Sequence, residues 1–100
     1  MLSFKEFEEK ASAIDFWLSK ADNRNQYYEF ADDSGENKLT FKQLPAPIDV
    51  TVIQWEVRLN DEEVDLDDPT AMNSICFILS QLFSKSVIFM TKMLKNLKSN

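Results

Sequence analysis

Apolar residues recur at three- and four-residue spacing through Phe4, Phe7, Ala11, Ile14 and Leu18, with Trp17 widening the stripe and Lys5, Glu8, Glu9, Ser12 and Asp15 on the other side. This is the period of an amphipathic helix. Its start is marked by Ser3-Phe4-Lys5-Glu6: the Ser3 hydroxyl can accept from the Glu6 N–H while the Glu6 carboxylate reaches back, and Leu2 and Phe7 occupy the staple positions. The stripe carries the expected helix to between Lys20 and Asn23.

The period then changes to two. Tyr28 and Phe30 alternate with Tyr27, Glu29 and Ala31, and Lys38 to Leu44 alternates in the same way, which is the pattern of half-buried strands. Asp32 to Asn37 between them is turn chemistry, with Gly35, the chain's only glycine, placed for a positive φ. A β-hairpin follows, ended by Pro45 and Pro47, which cannot donate to a ladder. Next, Ile48, Val50 and Val52 are apolar at even positions, and Ile53, Trp55, Val57 and Leu59 at odd ones. One extra residue shifts the phase in this way, so a β-bulge or a bend between two strands is expected at Val52-Ile53. Asn60-Asp61 makes a tight turn into a short last strand carrying Val64 and Leu66.

Asp68 as N-cap and Pro69 at the first helical position open a second helix, with Lys92, Lys95 and Lys98 near its C-terminus, where the dipole favours them. Unbroken to Leu97 it holds 29 residues, about 43 Å of helix. Strands of about 20 Å give it too little sheet to cover. Either it breaks near Ser84-Lys85-Ser86 or its far half packs on something else. Met72, Ile75, Leu79, Leu82, Met90, Met93 and Leu97 form its stripe, interrupted by Ser86, and Val87 to Met90 is too long an apolar run for a single buried face. Folding back within the monomer is one solution. The pattern favours the other, a homodimer interface of Val87, Ile88, Phe89, Met90 and Met93. The expected architecture is α+β, a single domain over residues 1–100 in the order α-β-β-β-β-α, with both helices on one face of an antiparallel four-stranded sheet.

Composition narrows the function. With 100 residues, 44% of them hydrophobic, the chain can bury one core. Eleven Lys and Arg against 17 Asp and Glu give a formal net charge of -6, the wrong sign for gripping phosphates, so direct nucleic-acid binding is not expected. Tyr27, Tyr28, Phe30, Phe41 and Trp55 therefore read as core residues rather than a base-stacking sheet. With no histidine and one cysteine, the usual general base and the multi-thiolate metal sites are missing, and neither enzyme activity nor a cofactor is expected. Cys76, among Ile75, Phe77, Ile78 and Leu79, reads as buried and inert. Asp49 with Glu56-Val57-Arg58 has the loose spacing of a nuclease acidic triad, but an always-protonated Arg is a poor proton relay. The N-terminus lacks a basic segment followed by an apolar one, and polar residues interrupt Ile75 to Leu94; a cytoplasmic address and no membrane span are expected.

What remains is acid. Asp61 to Asp68 holds six carboxylates and no base, and a Ca²⁺ loop would need a glycine that is absent. The expected partner-binding surface is Glu62, Glu63, Asp65 and Asp67 with Asp32, Asp33 and Glu36 from the hairpin turn, where side chains project freely. These features point to a small inhibitor, of the immunity-protein type or encoded by a phage or plasmid, that neutralises a basic partner such as a nuclease or nucleic-acid-binding complex. The competing expectation, carried by the overlong helix, is a dimeric chaperone or adaptor for a secreted or regulatory protein.

Overall fold

The first helix begins as its capping chemistry dictates: Glu6 N donates to Ser3 Oγ at 3.2 Å, and α1 (Phe4–Ser12) buries Phe7 completely. The structure is a computed structural model describing residues 1–45 and 54–98, with side chains described for 1–45 and 54–87. Contrary to the expected helix to Lys20, α1 stops at the Ala13 C-cap, and β1 (Trp17–Asp22) is a strand. Helical spacing concealed a turn. Asp22 Oδ1 accepts from the N–H groups of Arg24 and Asn25 at 3.1 and 3.2 Å, its Oδ2 accepts from Asn25 Nδ2 at 2.8 Å, and Gln26 takes a φ of 52°. That side-chain turn folds β1 back along β2 (Tyr27–Ala31), and ladder pairing overrides the helical stripe.

β3 (Lys38–Leu44), β4 (Gln54–Leu59) and β5 (Glu62–Glu63) complete an antiparallel sheet in the order β1-β2-β3-β4-β5. The count is five where four strands were expected, and the extra one is β1. The expected last strand is shorter and earlier: β5 ends at Glu63, and Val64 instead makes a parallel bridge with Leu2. The bulge expected at Val52-Ile53 lies outside the described residues, whereas β1 does shift register between Leu18 and Lys20.

Tyr28 opposite Phe41, Phe30 opposite Leu39, Phe41 opposite Val57 and Leu39 opposite Leu59 share one sheet face. All six are buried in one cluster with Phe7 and with Ile75 and Leu79 of α2 (Pro69–Lys98), so both helices cover that face, as the alternation predicts. Of the five aromatic residues expected in the core, Tyr28, Phe30 and Phe41 are buried there and Trp55 packs against them, whereas Tyr27 lies half-buried on the opposite face beside Lys20 and Glu29. The Phe30 ring stands edge-on to Phe41 and Phe83 at 5.7 and 5.6 Å, and Phe83 also meets Tyr28 at 4.9 Å. The other face carries charged side chains and, among the described residues, no helix, with Lys38 paired to Glu29 at 3.0 Å and Arg58 to Glu56 at 2.8 Å.

Thr70 N donates to Asp68 Oδ1 at 2.8 Å, the expected cap, and α2 then runs unbroken for 30 residues, about 45 Å. No fold-back occurs at Ser84-Lys85-Ser86, because Lys85 and Ser86 are anchored to the sheet margin. Lys85 Nζ bonds Asp15 at 2.7 Å and lies 4.7 Å from the Trp17 ring centroid; Ser86, 4% exposed, accepts from Leu18 N at 3.0 Å. The polar interruption in the stripe is thus the acceptor for an N–H of an edge strand. Ser86→Ala should cost about 1–3 kcal/mol by leaving that donor unsatisfied, read from urea midpoints, with hydrogen exchange at Leu18 accelerated most. Cys76 corrects another expectation: it is exposed, on the side of α2 turned away from the sheet.

Candidate partner-binding surface

The β2–β3 turn is organised by one of its own acids. Asp32 Oδ1 accepts from Asn37 N at 3.2 Å and Ser34 Oγ at 3.0 Å, Oδ2 accepts from Asn37 Nδ2 at 2.7 Å, and Gly35, at φ 74°, donates to the Asp32 carbonyl. The Asn37 side chain, more than any other group, holds the Asp32 carboxyl below its ordinary value. A lowered pKa means that the ionised form favours the folded turn, a contribution present at neutral pH and lost as acid protonates the group. Asp32 is therefore a structural residue of the surface, whereas Asp33 and Glu36 are exposed and make no side-chain hydrogen bond or ion pair among the described residues.

The β4–β5 turn is the two-residue hairpin expected from its sequence, with Asn60 and Asp61 at φ 51° and 66°. Asn60 then does more than turn. Its Oδ1 accepts from Lys38 N at 2.8 Å, its Nδ2 donates to Asn37 Oδ1 at 2.9 Å, and its own N–H donates to the Lys38 carbonyl at 2.8 Å. The two acidic turns are thereby tied together at one end of the sheet. Asp33, Glu36, Asp61 and Glu62 are all exposed there. Asp61 was not among the expected surface residues, and the signal for it was present, since the turn signature that places Asn60 also places Asp61 at the tip.

The remaining acids continue from that end along the sheet edge. Leu2 N donates to the Glu63 carbonyl and Asp65 N to the Leu2 carbonyl, both at 2.8 Å, and Asp67 N donates to Asp65 Oδ1 at 3.1 Å. Glu63, Asp65 and Asp67 line a cavity of about 250 Å³ with Glu56, Trp55 and Met72. The expected set is thus a strip with two parts: a double turn at the sheet end, and an edge leading to the N-terminus of α2. Among the described residues, no group of three or more acidic or cysteine side chains is placed to hold a metal ion.

Two cations border this end: Arg58, paired with Glu56, donates from Nη1 to the Asp61 carbonyl at 3.4 Å, and Lys38, paired with Glu29, directly follows the β2–β3 turn and is bonded through its backbone to Asn60. Lys20, on the same sheet face, sits 5.9 Å from the Tyr27 ring centroid. Glu56 of the loose nuclease pattern is occupied by its own Arg58, and Asp49 lies outside the described residues.

Of the expected dimer residues, Val87 is 61% exposed, and the side chains of Ile88, Phe89, Met90 and Met93 lie outside the described ones. Phe77, expected among the buried neighbours of Cys76, is 64% exposed. Two signals in the sequence point to this: Ile75 to Leu79 is a run of five apolar residues, longer than Val87 to Met90 and likewise too long for a single buried face, and the stretch from Pro69 to Ser84 carries no charge. Among the described residues, no helix is long and apolar enough to cross a membrane. Compared with protein-family models, with curated proteins and with solved structures, the chain finds no match.

Proposed function

We propose that the chain is a small inhibitor which docks its acidic sheet end onto a basic protein, covering a surface that otherwise binds nucleic acid. The observation that carries this reading is the Asn37–Asn60 hydrogen bond, which joins two acidic turns distant in sequence into one surface. Like charges held together weaken the fold, and attraction to a cationic cleft offsets that cost while accelerating the encounter. The protein acts by covering its partner, without catalysis, cofactor or direct contact with nucleic acid, in the cytoplasm, in the manner of an immunity protein or a phage- or plasmid-encoded antagonist.

The test compares wild type with a variant carrying Asp33→Lys, Glu36→Lys and Glu62→Lys, which spares the structural Asp32. Both are used for affinity capture from the source organism at about 0.15 M salt. A basic nucleic-acid-processing protein retained by the wild type and lost by the variant is the expected result. A partner held equally by both would remove the acidic end from consideration. The second reading, a dimeric chaperone or adaptor, rests on the exposed Phe77 and Val87 of α2; a secreted or regulatory client in the eluate favours it. A homodimer formed through α2 is part of the proposal under either reading.

A further inference from the structure

The side of α2 that faces away from the sheet is unlike the rest of the surface. Asn73, Cys76, Phe77, Ser80, Ser84 and Val87 are exposed along it, and none is charged, in a chain of which 28% is charged. Phe77 and Val87 are 64% and 61% exposed, on either side of the small Ser80 and Ser84. Small residues four apart let a second helix approach to about 8 Å, while exposed Phe and Val otherwise favour burial.

Charge says what covers this face. All 17 acidic residues precede Pro69, and from there on the chain holds Lys85, Lys92, Lys95 and Lys98 with no acid. α2 therefore has an acidic entrance, where Asp65, Asp67 and Asp68 line a cavity with Glu8, and a basic exit. A surface that is acidic at one end, basic at the other and uncharged between is complementary to itself turned end for end. Two-fold dimers require this self-complementarity. A parallel pairing would set lysines beside lysines, acids beside acids and helix dipoles side by side.

We infer that two copies pair through the outer faces of α2, antiparallel, with the two-fold axis near Leu82. That register brings Ser80 of one copy level with Ser84 of the other and Phe77 level with Val87. It also carries the lysine-bearing end of each helix to the Asp65–Asp68 segment of its partner. The inference deepens the homodimer proposed above and is independent of the inhibitor reading. Contact along about 45 Å of helix provides the length over which a pair can bury the roughly 1,200 Å² or more of a stable interface.

The register is tested by cross-linking. Near this axis the two native Cys76 residues are about 18 Å apart along the helices, beyond the reach of a short bis-maleimide, whereas two residues at position 84 are about 6 Å apart. Wild-type protein should sediment near twice 11.6 kDa and fail to cross-link; Cys76→Ser with Ser84→Cys should cross-link efficiently. Phe77→Lys should raise the dimer dissociation constant about 30-fold or more with an unchanged circular dichroism spectrum, since Phe77 is not part of the core. A concentration-independent mass of 11.6 kDa for wild type would overturn the dimer altogether. A wild-type dimer that cross-links through Cys76, or that Phe77→Lys leaves equally tight, would keep the dimer and overturn this face.

Discussion

Replacing Phe30 by alanine should destabilise the fold by about 3–5 kcal/mol, a large share of what a domain of this size has to lose. The ring is fully buried in the middle of the sheet, opposite Leu39, and edge-on to one aromatic ring of the sheet and one of α2. Truncation removes the transfer energy of the ring and both edge-to-face contacts. It also leaves a cavity that the sheet cannot close, because Phe30 lies on β2, an interior strand held by ladders on both sides. Urea denaturation followed by tryptophan fluorescence should show the midpoint falling with little change in slope. Phe77→Ala is the internal comparison, made at protein concentrations below the dimer dissociation constant so that the monomer is read: an equally large ring, 64% exposed, whose loss should shift the monomer's stability by less than about 0.5 kcal/mol. Equal losses at the two positions would mean that the sheet face is not the core.

The contrast between those phenylalanines shows what was legible in the sequence. Period-two alternation located Tyr28, Phe30, Leu39, Phe41, Val57 and Leu59 on the buried face because a strand has only two faces and one was lined with apolar side chains. Capping at Ser3 and Asp68, the Gly35 turn and the Asn60-Asp61 turn were also legible, since each depends on one or two residues whose chemistry acts locally. The stretch from Trp17 to Asp22 was not. Ala11, Ile14 and Leu18 satisfy a helical period and Trp17 to Asp22 pair as a strand, and the tie is broken by a partner strand and by the Asp22 turn further along. Ser86 was similarly opaque, because its reason for being polar is the N–H of Leu18, 68 residues away in sequence.

The acidic surface was legible as composition and hidden as geometry. Counting carboxylates identified both turns, and treating them as freely projecting missed that Asp32 and Asn37 build one turn while Asn60 fastens it to the other. Burial separates the two readings of α2 in the same way. The apolar run from Val87 points to the far half of the helix, whereas the exposed, charge-free face extends back through Phe77, ten residues earlier, to Asn73. The sheet edge that α2 crosses at Leu18 and Ser86 is where its contact with β1 is fastened, which explains why so long a helix is retained without a break.

Asn60 joins stability to the surface, and two substitutions separate its roles. Asn60→Gly keeps a residue at home at φ 51° but removes the bonds to Lys38 N and Asn37 Oδ1; a loss of about 1–2 kcal/mol is expected. Asn60→Ala loses the same bonds and adds the left-handed strain of a Cβ, so it should fall a further 1 kcal/mol or so below the glycine variant. Measured side by side in urea, equal stabilities would remove the backbone-strain argument. The glycine variant also probes the surface, because it leaves every carboxylate in place and loosens the link between the turns to the backbone bond from residue 60 to the Lys38 carbonyl. Its association with a captured partner should slow less than that of the variant with Asp33, Glu36 and Glu62 reversed to lysine, since long-range attraction depends on net charge. Its complex should dissociate faster, because short-range fit depends on the two turns holding a fixed spacing. If association and dissociation are both unchanged in Asn60→Gly, the turns act as independent charges and the fixed double-turn surface is refuted.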